Sequence, residues 1–196
     1  MKDISDIVSS VKERMDVLEK ARERSIAASR SVIRSTKKAI HAIHVKEAHE
    51  DLLNAAVREF DSLLSLLGDD NELLFSGPVS DAMMELSEAC ILSSIVLGKK
   101  VPSFSDLNIT PQSWAMGLAD CLGELRRIVL AHLMDGRIKE AKAVFDEMEI
   151  VCDSVLSFDV PDPILPIRRK QDVSRSVMER TRTDITNALI MNNRSE

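Results

Sequence analysis

Apolar residues recur at Ile4, Ile7, Val8, Val11, Met15 and Leu18, then at Ile26, Ile33, Ile40 and Ile43, the spacing of one face of an amphipathic helix. Neither Gly nor Pro interrupts the chain before Gly68. The pattern therefore predicts one very long helix to about residue 45, or two with a bend near Ala21. A second element follows over 47–67, stopped by Gly68 and a GDDN turn. A third helix is expected from Ser80 or Asp81 to Leu97, with Pro78 just upstream and Gly98 as its stop. Thr110 and Pro111 form a cap and first-turn pair for a fourth helix, which ends at Asp135-Gly136. Residues 137–157 make a fifth through Ile138, Ala141, Val144, Phe145, Met148, Val151 and Val155. Three prolines, Pro161, Pro163 and Pro166, break the pattern before a last helix from about Lys170 to Met191.

Composition reinforces an all-α reading. Hydrophobic residues make up 44% and charged residues 30% of the 196, with 6 Gly, 6 Pro and no Tyr, which starves sheets of the residues they favour. The expectation is one domain over 1–196, a bundle of about six to seven helices. Cys90, Cys121 and Cys152 lie far apart in apolar runs without metal-finger spacing, so they read as buried thiols in a reducing, cytoplasmic setting. No apolar stretch reaches the length of a membrane span, and no membrane partner is expected.

Net charge is -6, but the average hides a segregation. Residues 22–46 carry Arg22, Arg24, Arg30, Arg34, Lys37, Lys38 and Lys46 against Glu23, whereas 47–98 are acidic with Arg58 their one base. Arg30, Arg34, Lys37, His41 and His44 recur every three or four positions, with Lys38 beside them, and draw a basic stripe along the first helix. Such a stripe either follows a phosphate backbone, giving salt-dependent, sequence-indifferent binding, or pairs with an acidic neighbouring helix. A second basic group, Arg168, Arg169, Lys170 and Arg175, surrounds the start of the last helix and suits a phosphate clamp or a solvated surface. His41, His44 and His49 lack the i,i+4 spacing of a helical zinc pair and read as surface or stripe residues. Trp114, on another face from Asp120, reads as structural.

The acids of greatest chemical interest are Glu85 and Glu88 on the third helix and Asp120 and Glu124 on the fourth. Spacings of three and four put each pair on one helix face, among apolar neighbours where unpaired carboxylates are costly. An all-oxygen set suits Mg²⁺ or Mn²⁺ better than zinc, and the lack of a Glu-x-x-His motif argues against a di-iron site. A dication so held supports phosphodiester hydrolysis, with a carboxylate available to orient water. The plainer alternative pairs Asp120 and Glu124 with Arg126 or Arg127 and leaves Glu85 and Glu88 in solvent.

The stretch GLADCLGELRR at 117–127 resembles the GxADxxGELxR signature of the translin/TRAX family. The ExxE of Glu85 and Glu88 is similar to the glutamate pair of TRAX-type catalytic subunits, and RSVIRSTKKAIHAIH is similar to the family's basic helix. With its short loops, the chain resembles a compact archaeal or bacterial member. The resemblance implies a translin-like helical fold and a homo-oligomeric, roughly octameric shell that admits RNA and cuts it inside, single strands in preference, with Mg²⁺ or Mn²⁺. It also implies that Glu85, Glu88, Asp120 and Glu124 are the metal and catalytic acids, and that one chain supplies both binding and cutting. The alternative is a non-catalytic oligomer of the translin type that binds single-stranded RNA or DNA.

Overall fold

The computed structural model describes residues 3–68 and 71–193. It holds α1 (Ile4–His44), α2 (Glu50–Leu67), α3 (Asn71–Leu74), α4 (Gly77–Val96), α5 (Pro111–Met134), α6 (Ile138–Leu156) and α7 (Arg168–Asn193). No strand occurs among the described residues. The all-helical expectation holds, and α1 is one continuous helix of 41 residues rather than two. Of the expected GDDN turn, Asp69 and Asp70 lie outside the described residues.

Boundaries differ where the capping chemistry was misassigned. α4 starts at Gly77, with Ser76 as its N-cap position and Pro78 inside the first turn, where its missing N–H leaves no hydrogen bond unmade. The sequence pattern alone puts Pro78 outside the helix, because proline suits both positions. α2 starts at Glu50 because Lys46, at φ 60, turns the chain back and carries 45–49 out of helical geometry. Thr110 caps α5 as expected: its side-chain oxygen accepts from the Ser113 amide at 3.2 Å.

α1 packs on α2 and α4, α4 on α5, and α5 on both α6 and α7. One apolar cluster lies between α1, α2 and α4 (Val32, Phe60, Leu63, Val79, Met83, Leu86), the other among α4, α5, α6 and α7 (Ile91, Leu92, Leu122, Leu125, Met148, Ile167). α4 serves both, and so buries residues on nearly every side. Trp114 packs against both clusters and its indole N–H donates to Pro102 O at 2.9 Å, in keeping with a structural role. The three cysteines are free and buried. The buried face of α1 begins at Ser25; before it, the apolar stripe Ile4, Ile7, Val8, Val11 and Met15 is exposed.

The closest approach of α4 and α5 is set by Gly117. A Cβ there would stand 2.6 Å from Met84 O, 2.8 Å from Ser87 Cβ and 2.9 Å from Glu88 N. Two of those atoms are backbone, so neither can be turned aside, and any side chain must separate the helices. Gly123, two turns on, has open space around its Cβ position. Gly117→Ala is therefore expected to destabilise by about 1–3 kcal/mol, whereas Gly123→Ala is neutral or stabilising by up to about 1 kcal/mol. Denaturant unfolding of the two variants checks this; equal effects would show that the close approach carries no strain.

Candidate functional site

Gly117 sits one turn before Asp120 and packs on the backbone of Glu88, so the close approach delivers the acids of both helices to one place. Burial first, and then repulsion from Asp120, Glu85 and Glu124, together push the Glu88 carboxyl up to about 8 against the pull of Lys170. Burial likewise raises Glu85, against the pull of Lys37 and with Asp120 and Glu124 adding to the rise. The acids of the two helices thus lie close enough to repel one another, and Glu85 and Glu88 are half-buried rather than in open solvent.

Four bases answer this charge. Lys170, at the start of α7, donates to Asp120 Oδ1. Lys37 of α1 approaches Glu85 Oε1 at 3.8 Å. His44 donates from Nε2 to Glu124 Oε2, which holds the Glu124 carboxyl below its usual range despite its burial. Arg127 stands 3.9 Å from the same oxygen. Arg126 turns away, donating to Asp184 Oδ2 at 2.9 Å and Thr181 Oγ1 at 2.8 Å and so tying α5 to α7.

His44, read as a residue of the basic stripe, pairs with an acid of another helix, and His49 departs from the surface or stripe role read in the sequence. The His44 side chain is only 6% exposed and belongs to the acid cluster. His49 is buried, with Nε2 at 2.9 Å from Ser93 Oγ. A spacing test for two ligands on one helix passes over both, because their partners lie on other helices. His44 is two turns beyond Lys37, and that shared face was the available signal.

The remaining basic residues lie outside the cluster. Arg30, Arg34, Lys38 and His41 are exposed along α1, so the stripe runs over the surface and reaches the acids through Lys37. Arg168 pairs with Asp162 at 3.2 Å, Arg175 with Asp172 at 2.8 Å, and Arg169 is exposed. Of this second group, Lys170 alone is turned onto the carboxylates.

Among the described residues, no three His, Cys, Asp or Glu side chains stand in a metal-holding arrangement, and Asp120 and Glu124 are each drawn onto a base. The donor chemistry nevertheless fits a hard dication. Four half-buried carboxylates, one raised to about 8, are an excess of negative charge that a divalent ion would relieve.

No protein-family model matches the chain. An uncharacterized protein of Methanocaldococcus jannaschii is 34% identical over 168 residues, 84% of this chain and 74% of that protein. The crystal structure of AfC3PO matches at TM-score 0.85 and 30% identity, over 94% of this chain and 97% of that one. The chain belongs to the translin family. AfC3PO in complex with duplex RNA superposes equally well, at TM-score 0.85 and 28% identity over the same shares. Apo-NeC3PO shares the translin fold at TM-score 0.81 and 17% identity, over 92% and 96% of the two chains.

Glu88 also makes stability depend on pH in the metal-free protein. Its carboxyl ionises near 4.5 in the unfolded chain and at about 8 in the folded one, so between these values the folded state binds more protons and stability falls as pH rises. Glu88→Gln is expected to remove most of that decline, gaining on the order of 2 kcal/mol at pH 8 in chelator and little at pH 5. Thermal melts of both proteins across this range test it; parallel curves would place Glu88 in a solvated setting.

Proposed function

We propose that this translin-family chain is a metal-dependent endoribonuclease that hydrolyses RNA phosphodiester bonds, single strands in preference, inside a homo-oligomeric shell. The observation that carries the reading is the meeting of Glu85, Glu88, Asp120 and Glu124 where α4 and α5 press together, in a chain that superposes on AfC3PO solved with duplex RNA. The four carboxylates would hold Mg²⁺ or Mn²⁺. When bound there, the dication supplies charge to offset that developing on the scissile phosphate and acidifies water.

The chain's own residues divide the rest of the work. Glu124, kept ionised by His44, is the carboxylate suited to take a proton from attacking water. Lys170 and Lys37 bring positive charge to the non-bridging phosphate oxygens. Arg30, Arg34, Lys37, Lys38 and His41 carry the incoming strand through its phosphates, joined by Arg168, Arg169 and Arg175. The exposed apolar stripe over Ile4, Ile7, Val8, Val11 and Met15 supports self-assembly, because a second copy would cover it. An octamer is the assembly proposed. Among the described residues no helix is long and apolar enough to cross a membrane, and a cytoplasmic setting is proposed.

A second reading, a non-catalytic oligomer that binds single-stranded RNA or DNA, is favoured by one observation. Lys170 and His44 already satisfy Asp120 and Glu124, as in a purely structural network. Glu124→Ala separates the two. It is expected to reduce cleavage of labelled single-stranded RNA in Mg²⁺ at least about a hundredfold, leaving binding and assembly intact. Unchanged cleavage would remove Glu124 from the catalytic set, and no cleavage by wild type in Mg²⁺ or Mn²⁺ would favour the binding oligomer.

The basic stripe is tested separately. Arg34→Glu with Lys37→Glu is expected to weaken RNA affinity and lower the slope of log K against log salt by roughly 0.7 per lost phosphate contact. An unaltered slope would remove α1 from the binding surface.

A further inference from the structure

Beside the acid cluster lies a cavity of about 340 Å³, between the start of α4, the start of α5 and the segment leading into α7. Phe75, Met84, Met116 and Pro166 form its apolar wall, and Asp81 and Gln112 its polar edge. Phe75 is 66% exposed although aromatic residues are scarce in this chain. Phe60 and Phe145 are buried, Trp114 and Phe158 pack against the apolar clusters, and Phe104, the other exposed aromatic, is 43% exposed. Packing within the chain gives Phe75 no comparable role.

The walls continue straight into the proposed cleavage centre. Met84 is one turn before Glu88, Met116 one turn before Asp120, and Pro166 four residues before Lys170. One turn is about 5.4 Å, the scale of a single nucleotide step. We propose that this cavity is a nucleobase subsite, in which the base of a nucleotide flanking the scissile phosphate lies against the Phe75 ring. The proposal rests on the reading of the α4–α5 acids as the cleavage centre.

Its chemistry suits a base of any identity. An aromatic ring and two polarizable thioethers accept the π-face common to all four. The Gln112 amide offers a donor and an acceptor, and Asp81 an acceptor, to the base edge. A base held in a duplex cannot enter without unpairing, so the subsite supplies a physical reason for a preference for single strands.

The test needs no cleavage. In chelator, affinity is measured for a single-stranded oligouridylate and for the same strand with its bases replaced by abasic riboses, using wild type, Phe75→Ala and Phe75→Trp. Phe75→Ala is expected to weaken the oligouridylate at least about fivefold, the lower end of what stacking one base contributes, and the abasic strand less than twofold; Phe75→Trp retains the wild-type preference. Light scattering is expected to give one mass for all three proteins. A 5-iodouridine strand should photocrosslink to the peptide holding Phe75. Equal losses for both strands, no loss for either, or a crosslink elsewhere would overturn the subsite. A lower mass for Phe75→Ala would also overturn it, assigning the ring to a contact between copies. If wild type does not cut RNA in Mg²⁺ while the Phe75 crosslink and base dependence persist, the nuclease reading fails and the subsite stands.

Discussion

The architecture turns on the contact at Gly117, where the backbone of α4 meets α5 with no room for a side chain. Helices that approach so closely bring together residues at the contact and one turn beyond it, here Glu88 and Asp120. Those residues are acidic. A wider crossing would let each carboxylate keep water of its own, and the mutual repulsion that raises Glu88 would weaken. Close packing and electrostatic stress thus have one origin.

The stress is only partly relieved within the chain. α4 is apolar on nearly all sides and supplies both hydrophobic clusters, so Glu85 and Glu88 stand on a surface that otherwise excludes water. Lys170, Lys37 and His44 arrive from two other helices and offset part of the charge, yet Glu88 remains pushed up to about 8. A network built for stability alone would complete its pairs. A site kept short of positive charge is suited to receiving a dication and an anionic strand together, as the proposed function requires.

Much of this was legible in the sequence, for a physical reason. Helical periodicity is local, so α1, α5 and α6 were readable from spacing, as was the facing of each acidic pair. Pro78 misled because proline suits both the approach to a helix and its first turn. Long-range partners were not legible: His44 finds Glu124 80 positions away and Lys170 finds Asp120 50 positions away. A spacing rule for one helix has no access to such pairs. Gly117 was visible as a motif residue, but its steric role depends on the opposing backbone, which only the fold supplies.

The most direct measurement is anomalous X-ray scattering from crystals grown with Mn²⁺. The predicted result is a peak between α4 and α5, ligated by oxygens of Glu85, Glu88, Asp120 and Glu124, with Asp120 released from Lys170. Crystals saturated with Mn²⁺ that show no density there, and Asp120 and Glu124 still bound to their bases, would contradict the claim that these helices share a dication.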